Sequence, residues 1–243
     1  MCFEDIERVI DDWNSLLQRA NTYCPTLPTW AQGLNVSHIF RANHLSPQEA
    51  IVQAVGPNTL RAFRNNAHYA PQSIFRRWAR TRFDENGEPT EMFTNTAQDG
   101  FAALRVWCLQ SLCEFWNQCE SGLENFEFAH QNKLIDLFLK QLPRLAILPN
   151  GIRKEIYCNT HVPLDSYTLR AVRTLWNHDN PAEDEIPRNA SMNWVTNQDR
   201  YDKMQEFLRN VMQRAGAKAI EFDVLAWHAG RTDEDQFLLK PVG

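Results

Sequence analysis

Apolar side chains recur at intervals of three or four residues along most of this 243-residue chain. The clearest run lies between Phe101 and Trp116, and a second follows between Leu134 and Leu142. Such spacing places apolar side chains on one face of an α-helix, whereas a half-buried strand alternates apolar and polar residues. Because no convincing alternating segment occurs, the sequence predicts an all-α fold with one or two packed helical subdomains.

Local signals predict where several of these helices begin and end. Ser46-Pro-Gln-Glu49 has the spacing of a capping box with proline in the first helical position, so a helix should follow it through Val55. Pro71 should begin the next helix, and residues 84–89 are typical of a surface turn. Further helices are predicted over residues 4–19, 165–176, 204–215 and 222–227, with Gly216 and Gly230 as C-terminal stops.

The composition is that of an ordinary globular protein, with 43% hydrophobic and 23% charged residues. No apolar run approaches the roughly 18 residues of a membrane span. The segment Met1–Glu7 carries acidic residues where a signal peptide would carry Lys or Arg. We therefore expect a cytoplasmic monomer that does not enter membranes.

The metal-binding residue types show no ligand pattern. The six cysteines form no CxxC pair, and nothing in their spacing suggests a disulfide framework. Four of the seven histidines, His130, His161, His178 and His228, are scattered without ligand spacing. We therefore expect neither a metal nor a cofactor.

Six arginines and no acidic residue lie between Arg61 and Phe83, although the whole chain carries a net charge of −5. These arginines are Arg61, Arg64, Arg76, Arg77, Arg80 and Arg82, and they are interleaved with Phe63, Tyr69, Phe75, Trp78 and Phe83. Arginine makes bidentate phosphate contacts and aromatic rings stack on exposed bases, so one interpretation is a DNA-binding segment. The other is a solvated helical face whose aromatic side chains point inward.

The segment His161-Val-Pro-Leu-Asp165 presents an acidic residue at the start of a predicted helix. The first N–H groups of a helix lack intrahelical partners, and together with the helix dipole they stabilise an anion. Asp165 is therefore either a simple N-cap, which contributes about 1 kcal/mol, or a carboxylate held ionised for a cationic transition state. His161 is either a loop residue without a role or one that contacts DNA or orients this carboxylate.

Three segments together resemble the helix-hairpin-helix DNA glycosylases, and most closely the archaeal 8-oxoguanine DNA glycosylase type. Val162-Pro-Leu-Asp165 is similar to the catalytic-Asp segment of the family, in which a Pro-apolar-Asp turn begins a helix. Asp223-Val-Leu-Ala-Trp227 is similar to the closing helix of the archaeal branch, and Gln131-Asn-Lys133 occupies the place where that branch begins a helix with a Gln-Lys pattern. The resemblance covers about residues 120–231.

The chain departs from this family at the hairpin. No Leu-Pro-Gly-Val-Gly sequence is present, and the partial echo Leu148-Pro-Asn-Gly151 ends only 14 residues before Asp165. If that echo were the hairpin, Lys154 would replace Lys133 as the nucleophile. We predict two parts, an N-terminal helical part over residues 1–100 and a helical glycosylase-like part over residues 101–243.

The resemblance implies an enzyme that excises a damaged or modified base, flipped out of the DNA duplex, by cleaving its N-glycosidic bond. Asp165 would stabilise the positive charge that develops on the sugar. Lys133, as a neutral amine, would attack C1′ to give a Schiff base and a DNA lyase step, and water would attack in its place if no lysine is competent. The six arginines would bind DNA phosphates, and in a prokaryote the protein would be nucleoid-associated.

Two other functions stay open on the sequence alone. An N-glycoside hydrolase for a modified nucleoside or nucleotide would use Asp165 in the same way, with the Arg-rich segment as a structural face. A non-enzymatic helical module that binds nucleic acid or protein would use Asp165 only as a helix cap. Its docking surface for an acidic partner would be the segment Arg61–Arg82.

Overall fold

The computed structural model describes residues 45–55, 59, 71–119, 126–179, 185–214 and 218–229. Across these ranges it contains nine α-helices, two short 3₁₀ helices, two isolated β-bridges and no strand. The all-α class is therefore confirmed for the part of the chain that the structure describes. The helix predicted over residues 4–19, and the stops at Gly216 and Gly230, lie outside the described residues.

The described residues divide into two compact units, an N-terminal unit up to Thr160 and a C-terminal unit from His161 onward. The N-terminal unit contains α1 (Pro47–Ala54), α2 (Pro71–Arg80), α3 (Glu91–Gln98), α4 (Phe101–Gln118), α5 (Phe128–Gln141) and α6 (Asn150–Asn159). The C-terminal unit contains α7 (Ser166–Asp179), α8 (Gln198–Arg214) and α9 (Ala219–Ala229). The division predicted at residue 100 falls between α3 and α4, and it stays a prediction.

The capping signals identified in the sequence form the expected hydrogen bonds. Ser46 Oγ accepts the Glu49 N–H at 3.3 Å, and Glu49 Oε2 accepts the Ser46 N–H at 2.9 Å, so the capping box before α1 is complete. Pro71 begins α2, as predicted. In the turn at 84–89, Asp84 Oδ1 accepts the N–H of Asn86 and of Glu88, each at 2.8 Å. These confirmed features all depend on residues a few positions apart.

The core of the N-terminal unit surrounds α5, which contacts α1, α4 and α6. Phe138 on α5 lies edge-on to Trp78, with ring centroids 5.2 Å apart, and edge-on to Phe75 at 6.3 Å. Most of the apolar positions that predicted the two long helices are buried here, namely Phe101, Leu104, Cys108, Leu112, Trp116, Leu134, Phe138 and Leu142, while Phe115 and Leu137 are partly buried. The helix periodicity therefore identified the core correctly.

Two helices of the N-terminal unit were not predicted. The short α3 is capped by Thr90, whose Oγ1 accepts the Phe93 N–H at 3.3 Å, and it buries only Phe93 and Ala97. The helix α6 includes Gly151 and buries Ile152, Ile156 and Tyr157. Each buries too few apolar residues to produce a clear periodic signal.

A buried ion pair joins α4 to α5. Arg105 Nε lies 3.2 Å from Asp136 Oδ1, and Arg105 Nη2 donates to Asn132 Oδ1 at 2.6 Å. Asn132 Nδ2 in turn donates to the Phe128 carbonyl oxygen at 2.9 Å. Asp136 is completely buried. A charge in such a position is tolerated only when it is paired and hydrogen-bonded.

In the C-terminal unit, α9 contacts both α7 and α8. Trp176 on α7 is edge-on to Phe207 at 5.2 Å and to Trp194 at 5.9 Å. The side-chain amide of Asn177 holds the loop after α7, because Nδ2 donates to the Ile186 carbonyl oxygen at 3.1 Å and Oδ1 accepts the Ile186 N–H at 2.8 Å. The helix α7 continues to Asp179, three residues beyond its predicted end at residue 176.

Removing one partner of the α4–α5 ion pair tests how much the pair contributes to the free energy of unfolding. Asp136→Leu leaves the buried Arg105 guanidinium without its carboxylate, so we expect urea unfolding to show a loss of about 3–5 kcal/mol. The control is the double variant Arg105→Met with Asp136→Leu, which removes both charges and should recover most of that loss. An Asp136→Leu protein as stable as the wild type would contradict this account.

Candidate functional site

Asp165 caps the N-terminus of α7 and is 9% exposed. Its Oδ1 accepts two backbone N–H groups, from Tyr167 at 2.9 Å and from Thr168 at 3.2 Å. The N-cap geometry that the sequence suggested is therefore present. The same two hydrogen bonds restrain the direction of the carboxylate, so a capping role and a charge-stabilising role use one arrangement.

Thr168 completes a reciprocal cap, in which each of the two side chains accepts the backbone N–H of the other residue. Its Oγ1 accepts the Asp165 N–H at 2.7 Å, and its hydroxyl lies within donating distance of the carbonyl oxygens of Asp165 at 3.0 Å and Pro163 at 3.3 Å. Thr168 is fully buried. The turn is thus stabilised by hydrogen bonds that the side chains of Asp165 and Thr168 both accept. Thr168 takes the place that Glu or Gln has in the usual capping box.

The extended segment before Asp165 is attached to α8. Gln205 Oε1 accepts the Val162 N–H at 2.9 Å, and Gln205 Nε2 donates to the Val162 carbonyl oxygen at 2.8 Å. One helical turn earlier, the Tyr201 hydroxyl lies 2.9 Å from His161 Nδ1. Neither Gln205 nor Tyr201 could be identified from the sequence, because both lie about 40 residues from the segment they contact.

Lys133 lies inside α5 of the N-terminal unit and is only 8% exposed. The sequence suggested that a helix follows Lys133, whereas the helix begins five residues earlier at Phe128. Lys133 is therefore not an ordinary solvated surface lysine. Asp165 belongs to the other unit.

Lys154, the alternative nucleophile, is exposed on α6. The segment 145–149 before it forms a turn, and Gly151 is the second residue of the helix. The two lysines thus differ sharply in environment, one buried and the other solvated. This contrast makes Lys154 a useful control for Lys133.

Four of the six arginines predicted to bind DNA lie among the described residues, and Arg61 and Arg64 lie outside them. Arg77 and Arg80 are exposed on α2. Arg76 Nη2 donates to the Val55 carbonyl oxygen at 3.2 Å, and the Arg82 guanidinium lies 4.5 Å from the centroid of the Trp107 ring. Burial lowers the pKa of Arg82. Arg76 and Arg82 thus make contacts within the unit, and the phosphate-binding role of the arginines stays a prediction.

The aromatic residues among those arginines point into the core. Phe75, Trp78 and Phe83 are all buried, and Trp78 contacts Phe138 of α5. A buried ring cannot stack on a base, so base stacking is excluded for these three residues. The inward-facing interpretation of the segment is therefore correct at these positions.

Among the described residues, no group of three or more His, Cys, Asp or Glu side chains is arranged to hold a metal ion. Within the same ranges, no helix combines the length and the hydrophobicity needed to cross a bilayer. Comparison with protein families, with characterised proteins and with solved structures finds no match for this chain.

His130 also lies on α5, where it is buried close to Lys133. Burial lowers the pKa of His130, the carboxylate of Glu127 raises it and the charge of Lys133 lowers it further. The distance from His130 Nδ1 to Glu127 Oε2 is 3.8 Å. The net effect is that the fold favours the neutral imidazole.

A neutral buried histidine makes stability depend on pH. As the pH falls through about 6.5, the unfolded chain binds a proton at His130 before the folded protein does, so the free energy of unfolding decreases. In His130→Gln this contribution is absent, and urea unfolding at a series of pH values should show a shallower loss on acidification than in the wild type. Parallel curves for the two proteins would contradict the assignment.

Proposed function

We propose that this protein is a DNA glycosylase of the helix-hairpin-helix type, which excises a damaged or modified base by cleaving its N-glycosidic bond. The observation that carries the proposal is the Asp165 carboxylate. It is nearly buried at the start of α7 and is oriented by the Tyr167 and Thr168 N–H groups. The resemblance of the surrounding Val162–Val172 sequence to the catalytic segment of that family supports the same assignment.

The chemistry requires a fixed negative charge. When the bond between C1′ and the base breaks, its electron pair leaves with the base, and positive charge spreads over C1′ and the ring oxygen of the sugar. An oriented carboxylate stabilises that charge, and the effect is larger where little water is present. The cap on α7 satisfies this requirement because it restrains Asp165 before the substrate arrives.

The proposed nucleophile is Lys133. Its neutral amine would form a bond to C1′ as the bond to the base breaks, and loss of the amine proton and opening of the sugar ring would give a Schiff base. Elimination of the 3′ phosphate from that intermediate is the lyase step. The near-complete burial of Lys133, in contrast to the exposed Lys154, supports this choice of nucleophile.

DNA contacts are assigned to the Arg-rich segment, of which Arg77 and Arg80 are exposed on α2. Arginines that neutralise phosphates release bound counterions, so affinity should fall steeply as salt is added. The extruded base would be accommodated elsewhere, because the described rings in this segment are part of the core.

Substitution of Asp165 separates the cap from the charge. Asp165→Asn keeps an oxygen that can accept the Tyr167 and Thr168 N–H groups but removes the negative charge. We therefore expect unchanged thermal stability and DNA affinity, and a loss of excision of about 100-fold or more on duplexes carrying single modified bases. Asp165→Ala removes the cap as well and should also destabilise the fold by about 1 kcal/mol.

Full turnover by Asp165→Asn would mean that Asp165 is only a cap. Excision of bases from free nucleosides but not from duplexes would instead favour the N-glycoside hydrolase. The set of substrates tested should therefore contain both modified duplexes and free modified nucleosides. It should include 8-oxoguanine, because the resemblance points to oxidised purines.

Borohydride trapping tests the nucleophile. A Schiff base between Lys133 and C1′ would be reduced to a stable protein–DNA adduct, visible as a shifted band in a denaturing gel. The adduct should form with the wild type and with Lys154→Ala. It should be absent from Lys133→Met, whose unbranched side chain is similar in length but has no amine. An adduct at full yield from Lys133→Met would refute Lys133, and excision without any adduct would assign the attack to water.

A further inference from the structure

We infer that Gln205 is a positioning residue for Asp165, and this inference rests on the proposed function. Gln205 touches neither the carboxylate nor, on our proposal, the substrate. It acts through the backbone of Val162, three residues before Asp165, which it attaches to α8 by two hydrogen bonds. Gln205 is 2% exposed, so both bonds are shielded from water.

The two bonds to Val162 need a donor and an acceptor on one side chain. The Val162 N–H donates to Gln205 Oε1 at 2.9 Å and the Val162 carbonyl oxygen accepts from Gln205 Nε2 at 2.8 Å, which is the pairing a neighbouring β-strand would provide. Only an amide side chain supplies both groups in this geometry. A glutamate would lose the donor, and a methionine of similar length would lose both.

The attachment limits the freedom of the chain between Val162 and Asp165. Val162, Pro163 and Leu164 are buried, and proline has a restricted φ angle. At the other end, Thr168 holds the Asp165 N–H at 2.7 Å. With Val162 attached to α8 and Asp165 attached to the first turn of α7, few backbone torsions remain that could move the carboxylate.

A second contact from the same face of α8 supports this assignment. Tyr201 lies one helical turn before Gln205, and its hydroxyl is 2.9 Å from His161 Nδ1. Consecutive turns of α8 therefore hold consecutive residues of the segment. Because misplacement of a catalytic group by about 1 Å can cost about 100-fold in rate, a loss of this attachment should appear in turnover.

The chain offers a matched control for purely structural effects. Asn177, near the end of α7, makes the same pair of hydrogen bonds to the backbone of Ile186. Ile186 belongs to the same unit and lies in the loop after α7. Asn177→Leu removes that pair much as Gln205→Met removes the pair on Val162. If Gln205 only stabilised the unit, both variants would lower thermal stability and neither would lower kcat.

The experiment compares Gln205→Met, Gln205→Glu and Asn177→Leu with the wild type in single-lesion duplex excision, with thermal unfolding measured in parallel. We expect both Gln205 variants to lower kcat by about 10- to 100-fold with little change in KM, and Asn177→Leu to keep the wild-type kcat. Gln205→Glu keeps the acceptor for the Val162 N–H, so it provides the folded variant if Gln205→Met is too unstable to purify.

A second readout does not depend on catalysis. The ¹³C resonance of the Asp165 carboxyl group should shift in the Gln205 variants and stay at its wild-type position in Asn177→Leu. Wild-type kcat in the folded Gln205 variants, or an equal loss in Asn177→Leu, overturns the inference. If the wild type excises nothing, the proposed function fails, and the resonance then decides alone: a shift confined to the Gln205 variants supports the positioning role, and an unmoved signal overturns it.

Discussion

Every buried backbone N–H and C=O group needs a hydrogen-bond partner, and the extended segment before α7 shows how an all-helical unit meets this requirement. Among the described residues, no strand lies beside Val162, so the side-chain amide of Gln205 takes the place of one. Asn177 does the same for Ile186 after α7. Both ends of α7 are therefore attached through amide side chains, and one of these attachments lies three residues before Asp165.

The N-terminal unit buries charged side chains, which need partners inside the protein. Arg105 and Asp136 pair between α4 and α5, and Asn132 accepts a further hydrogen bond from the same guanidinium. Arg82, one of the six arginines predicted to bind phosphates, lies over the Trp107 ring and donates to Ser111 Oγ at 2.9 Å. Guanidinium groups suit such places because they are weakly hydrated and stack on aromatic faces.

How far the sequence could be interpreted depended on the separation of the interacting residues. The capping box at Ser46–Glu49, the cap at Asp165 and the apolar faces of α4, α5 and α8 were predictable, because each is formed by residues within one or two helical turns. The helix α3 was missed because it buries only two apolar residues. The start of α5 was misplaced because Phe128–Asn132 lacks a strong cap, and the N-cap residue Glu127 makes no side-chain capping hydrogen bond.

The structure of this protein therefore depends on local interactions within helices and on packing between helices. Periodicity and capping are local, since hydrogen bonds and side-chain contacts within a helix link residues up to about four positions apart. They were enough to predict the all-α character of the described residues and the carboxylate at the start of α7. The burial of Lys133, the inward orientation of Trp78 and the attachment of Val162 to Gln205 could be seen only in the folded chain. Each of these depends on which helices become neighbours, and that choice is made by packing between segments that are distant in sequence.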